Sequence, residues 1–184
     1  DIIFYVLGHA TLEGAPFANT TTLAELGFTP EQIAAAYASV AEAKTFNEWT
    51  KGITPQDLQD KGMLAAEINA IVNYVNGTGT VEGAPHLVEA HYPVFDCANQ
   101  CGIGQRFIDP MAHIKIMAAA QPFLSGAISK TVNLPNSATV NDIQNIYVDA
   151  WKMGLKCVAL YRDGCKSSQP LNSTTKQFTD AEEE

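Results

Sequence analysis

Residues 109–164 alternate helical and extended signals in an order that leaves few folds open. Asp109-Pro110 reads as an N-cap followed by proline at the first helical position, where a missing N–H costs nothing. The helix started there carries Met111, Ile114, Ile116, Met117 and Ala118 to Ala120, apolar nearly all round, so burial on most sides is expected. Pro122 and Gly126 end it. Ala127 to Asn133 is rich in β-branched residues and closes on Leu134-Pro135-Asn136, which predicts a short strand and a turn. Thr139 caps a second helix, Asp142 sits at its third position, and Gly154 supplies a left-handed terminus. Along it Val140, Ile143, Ile146, Tyr147, Ala150 and Trp151 recur at helical spacing. Leu155 to Tyr161 is then a nearly continuous apolar run, expected of a strand covered on both faces and stopped by Arg162-Asp163-Gly164. The fold class that follows is α/β in this stretch: helix, strand, helix, strand, the strands joined by a helical crossover.

The first half is different. Tyr5-Val6, Gly8, Thr11 and Glu13-Gly14-Ala15-Pro16 recur as Tyr74-Val75, Gly77, Thr80 and Glu82-Gly83-Ala84-Pro85, at a constant offset of 69 positions. Ala65, Ile68, Ile71, Val72 and Val75 form a helical stripe ending at Gly77, so Ile2 to Leu7 is expected to be the last turns of an equivalent helix. The opening reads as though cut from the interior of a longer polypeptide. A duplicated packing unit is one explanation of the repeat, a pair of ligand loops the other. Between the copies, Leu23 to Leu26 forms a brief helix, Thr29-Pro30-Glu31-Gln32 opens one that runs to about Ala43, and Thr54-Pro55-Gln56-Asp57 opens a shorter one. Phe46 and Trp49 are expected to anchor on the longer helix. The chain is thus α+β overall: a mainly helical region over 1–101, the helix-strand-helix-strand piece over 102–164, and a polar, acidic tail over 165–184 too poor in apolar groups to order itself.

Composition narrows the function. With 46% hydrophobic and 17% charged residues in 184, the chain can bury a real core. No apolar run is long enough to span a membrane and no basic-then-apolar leader opens it, so a cytoplasmic protein is expected. A net charge of −9 argues against binding a DNA or RNA backbone. Four cysteines do not make a disulfide framework in a chain of this length, and reduced thiols follow.

Two groups of residues can carry chemistry. His86, His91, Cys97 and Cys101 offer the imidazole and thiolate ligands that tetrahedral zinc prefers, although no Cys-x-x-Cys pair is present; packed cysteines and surface histidines explain them as well. Ser129, Lys130 and Asn133 lie on or after one strand and Tyr161 and Arg162 end another, where the ligands of α/β barrels collect. Arg162-Asp163-Gly164 is equally well a plain solvated turn. Gly102-Ile103-Gly104 follows no strand and reads as a turn rather than a phosphate cradle. His113 reads as a satisfied core histidine and Cys157 as a small buried hydrophobe.

His113-Ile114-Lys115-Ile116-Met117-Ala118-Ala119-Ala120-Gln121, Ile128 to Asn136, and Gly154-Leu155-Lys156 running into Tyr161-Arg162-Asp163-Gly164 resemble the last part of the catalytic ten-stranded α/β barrel of adenosylcobalamin-dependent (class II) ribonucleotide reductases. Val81 to His86 and Pro93 to Asn99 resemble an insertion of the longer bacterial members. The resemblance implies a parent enzyme that replaces a ribonucleotide 2′-OH by hydrogen through a cobalamin-generated thiyl radical. It places the reacting cysteines on earlier barrel strands, and none of their motifs occurs here, so this polypeptide alone is expected to be inactive and its partner to be the remainder of the barrel. Where the oxygen-dependent class has a radical-relaying tyrosine pair, this sequence has Ala159-Leu160. The competing reading is a non-catalytic nucleotide- or zinc-binding, or interaction, module derived from that fold.

Overall fold

Side chains one turn in from each start fix most of the helices. In the computed structural model, which describes residues 1–166 and Phe178, the helices are α1 (Ile2–Leu7), α2 (Thr20–Glu25), α3 (Pro30–Ala43), α4 (Pro55–Asp60), α5 (Ala65–Asn76), α6 (Pro110–Ala120) and α7 (Val140–Lys152). Thr29, Thr54 and Thr139 each accept from the backbone N–H three residues on, while Gln32, Asp57 and Asp142 accept from the cap N–H in return. These reciprocal pairs satisfy donors the helix itself cannot. Asp109 caps α6 through Met111 N–H at 2.6 Å. The brief second helix starts earlier than the sequence suggests, because Asn19 accepts from both Thr21 and Thr22 N–H.

The chain divides into two compact units. Unit one takes Asp1–Pro93 and Gly102–Gly104, with Phe178. Its core is built from α2 to α5 and the loops between them, with Val40, Ile68, Ile71 and Val75 wholly buried. Phe46 is buried as expected, but Trp49 is 81% exposed and anchors nothing. The Asn76 amide explains the difference: it accepts from Phe46 N–H and donates to Phe46 carbonyl, fixing that residue inward, while Trp49 N–H caps onto Asn47 in a turn facing out.

The duplicated segments lock together as a pair. Thr78 N–H donates to Tyr5 carbonyl at 2.9 Å and His9 N–H to Tyr74 carbonyl at 2.8 Å; Gly79 N–H donates to Val6 and Ala10 N–H to Val75. Tyr5 hydroxyl donates to Glu82 carbonyl at 2.7 Å, and Tyr74 hydroxyl to Glu13 carbonyl at 3.0 Å. Every bond has its counterpart 69 positions away, so the copies are related by an internal two-fold and make a self-complementary contact. Carbonyls that α1 and α5 cannot satisfy themselves are satisfied by each other's continuation. At the crossing sit Gly8 (φ 74°) and Gly77 (φ 77°), where a Cβ on either would fall on the backbone of the other copy. The repeat is therefore a packing unit.

Unit two takes Val94–Cys101 and, among the described residues, 105–166. Its sheet has two parallel strands, β1 (Thr131–Leu134) and β2 (Ala159–Arg162), in register from Thr131↔Ala159 to Leu134↔Arg162 and joined through α7. Ile114 and Met117 of α6, Val132 and Leu134 of β1, and Ile146 and Ala150 of α7 form the core. Several expectations need correction. The strands are shorter than the apolar runs: Lys156 Nζ donates to Leu124 and Ser125 carbonyls, and Gln121 Nε2 to Leu124 and Gly126 carbonyls, so the segments before each strand brace a loop instead of pairing. Neither α6 nor β2 is covered on all sides; Ile116 is 66% exposed and Ala159 and Cys157 are exposed. The apolar face of α7 is split, with Ile143, Ile146 and Ala150 turned to the core and Val140, Tyr147 and Trp151 exposed. Beyond residue 166 the polar tail falls on residues outside those described, apart from Phe178, which packs on the core of unit one and exchanges two hydrogen bonds with the Asn69 side chain.

Candidate functional site

The strand register decides which of the expected site residues can act together. Both strands run the same way, so Ser129 and Lys130 lie before the start of β1, whereas Tyr161 and Arg162 lie at the far end of β2. About four strand residues, roughly 13 Å, separate the two ends. The five residues are therefore not one cluster. Lys130 Nζ donates to Thr131 carbonyl at 3.0 Å, and Ser129 is exposed. Arg162 Nε donates to Ala138 carbonyl at 2.9 Å and Nη2 to Asn136 carbonyl, while Asn136 Nδ2 donates to Asp163 carbonyl. That guanidinium is a brace for the loop after β1.

Asn133 and Tyr161 remain. They are register partners, so their side chains share one face of the sheet, opposite the face on which Val132 and Leu134 meet the helices. Both are half-buried. Burial, followed by the charges of Cys165 and Asp163, raises the Tyr161 hydroxyl above the usual phenol range, which keeps it a neutral donor. An amide and a phenol on the helix-free face near the carboxyl ends of parallel strands can position a polar ligand by hydrogen bonds.

The zinc ligand set is not assembled. Among the described residues no three His, Cys, Asp or Glu side chains are placed to hold a metal ion. His86 Nε2 lies 3.2 Å from Asp1 Oδ2, and His91 Nδ1 faces Val88 N–H. Cys97 and Cys101 thiols point to the carbonyls two residues back in their own turns. What holds that loop is the bidentate pair of Arg106 with Asp96, at 2.8 and 2.7 Å, together with Ile108 N–H on Cys97 carbonyl. Gly102 and Gly104 serve close approach: the Ile103 N–H donates to Thr78 carbonyl and leaves no space for a Cβ on either side.

His113 is buried as expected but not satisfied, for its Nε2 has no hydrogen-bond partner among the described residues; burial first, then Lys130, lowers its pKa, with Asp109 opposing. Two further features had no signal in single residues. A cleft of about 330 Å³ in unit two is lined by Phe107, Met111, Asn145 and the carboxylates of Asp109, Asp142 and Asp149. A cleft of about 470 Å³ in unit one is lined by residues of both repeat copies; only the repeat offset foreshadows it.

Comparison with known proteins agrees with this topology. Residues 20–161 match the ribonucleotide reductase barrel domain. The chain is 48% identical, over 94% of its length, to the vitamin B12-dependent ribonucleotide reductase of Bradyrhizobium diazoefficiens, and 44% identical, over all of it, to that of Agrobacterium fabrum. It is 36% identical, over 62% of its length, to the vitamin B12-dependent ribonucleoside-diphosphate reductase of Mycobacterium tuberculosis. It spans 16% of the length of the first two and 15% of the third. A parallel strand pair bridged by a helix, within a match covering most of the sequence, identifies this chain as a member of the ribonucleotide reductase barrel-domain family.

Proposed function

We propose that this chain is the closing segment of the catalytic barrel of a vitamin B12-dependent ribonucleotide reductase, acting on ribonucleoside diphosphates in the cytoplasm. On this reading 102–164 supplies the last strands of a ten-stranded barrel, 1–101 is a helical insertion, and 165–184 a tail. The remainder of the barrel supplies the radical and reducing cysteines. The observation that carries the reading is the β1–α7–β2 unit: a parallel pair covered by helices on one face and presenting Asn133 and Tyr161 on the other. Two strands with apolar side chains still exposed on α7 are what a slice of a closed barrel leaves when its neighbours are absent.

Adenosylcobalamin would generate the radical in the parent. The described residues of this chain do not by themselves fit it: the cleft in unit two, about 330 Å³, brings three carboxylates and no histidine or cysteine to bear. What the chain's own residues do is position: Arg162 holds the loop after β1, and Asn133 and Tyr161 offer neutral hydrogen-bonding groups to a sugar or base.

A chimera tests this. Replacing the matching stretch of the Bradyrhizobium enzyme by residues 1–166 is expected to preserve deoxyribonucleotide formation, and the isolated chain given adenosylcobalamin, ribonucleotide and a dithiol is expected to form none. A folded but inactive chimera, or turnover by the isolated chain, overturns the reading.

A further inference from the structure

The larger cleft of unit one straddles the internal two-fold. Ten of its eleven lining residues fall into pairs 69 positions apart, among them Tyr5 with Tyr74, Phe4 with Asn73 and His9 with Thr78. Identical copies would give matching walls. These do not match: one copy lends two rings where the other lends an amide and a hydroxyl. His9 lies between Phe4 and Tyr74, ring centroids 4.6 and 4.0 Å away and planes within 6° of parallel, so the three rings stand as one stack. Phe4 is 53% exposed and leaves ring surface open to a further planar group. Asn73 is half-buried, lines the same cleft, and its side-chain amide makes no hydrogen bond among the described residues. An amide presents a donor and an acceptor side by side, the pattern that matches the edge of a base. No lysine or arginine lines the cleft.

We propose that this cleft binds an uncharged planar heteroaromatic ring of the nucleobase type, laid on the Phe4–His9–Tyr74 stack with its edge to Asn73, and that it excludes phosphate. Stacking accepts any flat ring and the amide selects those with adjacent donor and acceptor. A guanidinium, all donors, leaves the amide half matched. A phosphate finds no lysine or arginine among the lining residues, in a chain of net charge −9. The site is independent of the barrel chemistry proposed above, since the isolated chain contains all of it.

Isotope-labelled chain titrated with adenosine, with its 5′-monophosphate and with N-acetyltryptophanamide, read by amide chemical shifts, tests the assignment. Adenosine is expected to shift the signals of Phe4, His9 and Tyr74, with the monophosphate and the indole each bound at least several-fold more weakly. His9→Ala, at an exposed position that does not threaten folding, and Asn73→Asp are each expected to weaken adenosine about tenfold. Absence of shifts at millimolar adenosine overturns the proposal, as does tighter binding of the monophosphate or unchanged affinity in His9→Ala.

Discussion

Unit one and unit two bury their cores by different means. In unit one the two repeat copies supply each other's missing hydrogen-bond donors, and a continuous cluster from Leu12 to Val75 lies beneath them. In unit two a six-residue core sits under one face of a two-stranded sheet, with Val140 and Trp151 of α7 80% and 76% exposed. A two-stranded sheet is marginal on its own, and needs further strands or covering helices. Unit one therefore carries its own stability, while unit two is expected to draw much of its stability from neighbours outside this chain.

The sharpest way to break this contrast is at the crossing of the repeats. Gly77→Ala puts a methyl group onto the other copy's backbone at a left-handed φ, and is expected to cost unit one roughly 4 kcal/mol or more. Urea unfolding followed by residue-resolved NMR should show unit one failing first; a midpoint within error of the parent chain would remove the twin-lock account. Matched core truncations come next. Ile68→Ala in unit one and Ile114→Ala in unit two both empty fully buried sites, but the thin core of unit two can relax around its cavity, so about 4 and about 2.5 kcal/mol are expected. Equal losses would mean the two cores are equally rigid. Arg162→Ala removes two hydrogen bonds to the loop after β1 and is expected to cost about 1–2 kcal/mol, seen as faster amide exchange at Leu134 to Ala138.

The smallest effects are pH-dependent. His113 is buried with its pKa lowered, so the unfolded chain takes up a proton first: stability is complete above the ordinary value of 6.5 and falls as the pH drops through the folded value. Unit two, which holds His113, should weaken over that window. His113→Phe should abolish the dependence, and a variant that still weakens there assigns it elsewhere. Asp142, lowered by its bonds to Thr139, acts further down: the start of α7 is intact above the ordinary 3.8 and frays as the pH falls below it, which helical amide shifts can follow.

How much was legible follows the range of the interaction. Caps act over three residues, and Thr29, Thr54, Thr139 and Asp109 announced α3, α4, α7 and α6 correctly. The repeat offset announced the equivalence of α1 and α5, and the crossover announced the β1–β2 pair. Strand ends did not read out, because Lys156 and Gln121 reach loop carbonyls more than the apolar run reveals. Exposure of Trp49, Cys157 and half of α7 was equally hidden, since apolar character does not say which partner, if any, lies opposite. The site residues were expected at strand ends, but β1 begins later than the apolar run suggests, so Lys130 precedes it and lies at the opposite end of the sheet from Arg162.

The glycine crossing has a consequence for how such a segment can change. Because each copy's turn occupies the space a methyl would need on the other, neither Gly8 nor Gly77 can be replaced without the opposite turn moving. The copies differ instead in side chains that line the hollow between them, Phe4 against Asn73 and His9 against Thr78. An architecture that welds its two halves at one point leaves its novelty to accumulate around that weld, in the hollow between them.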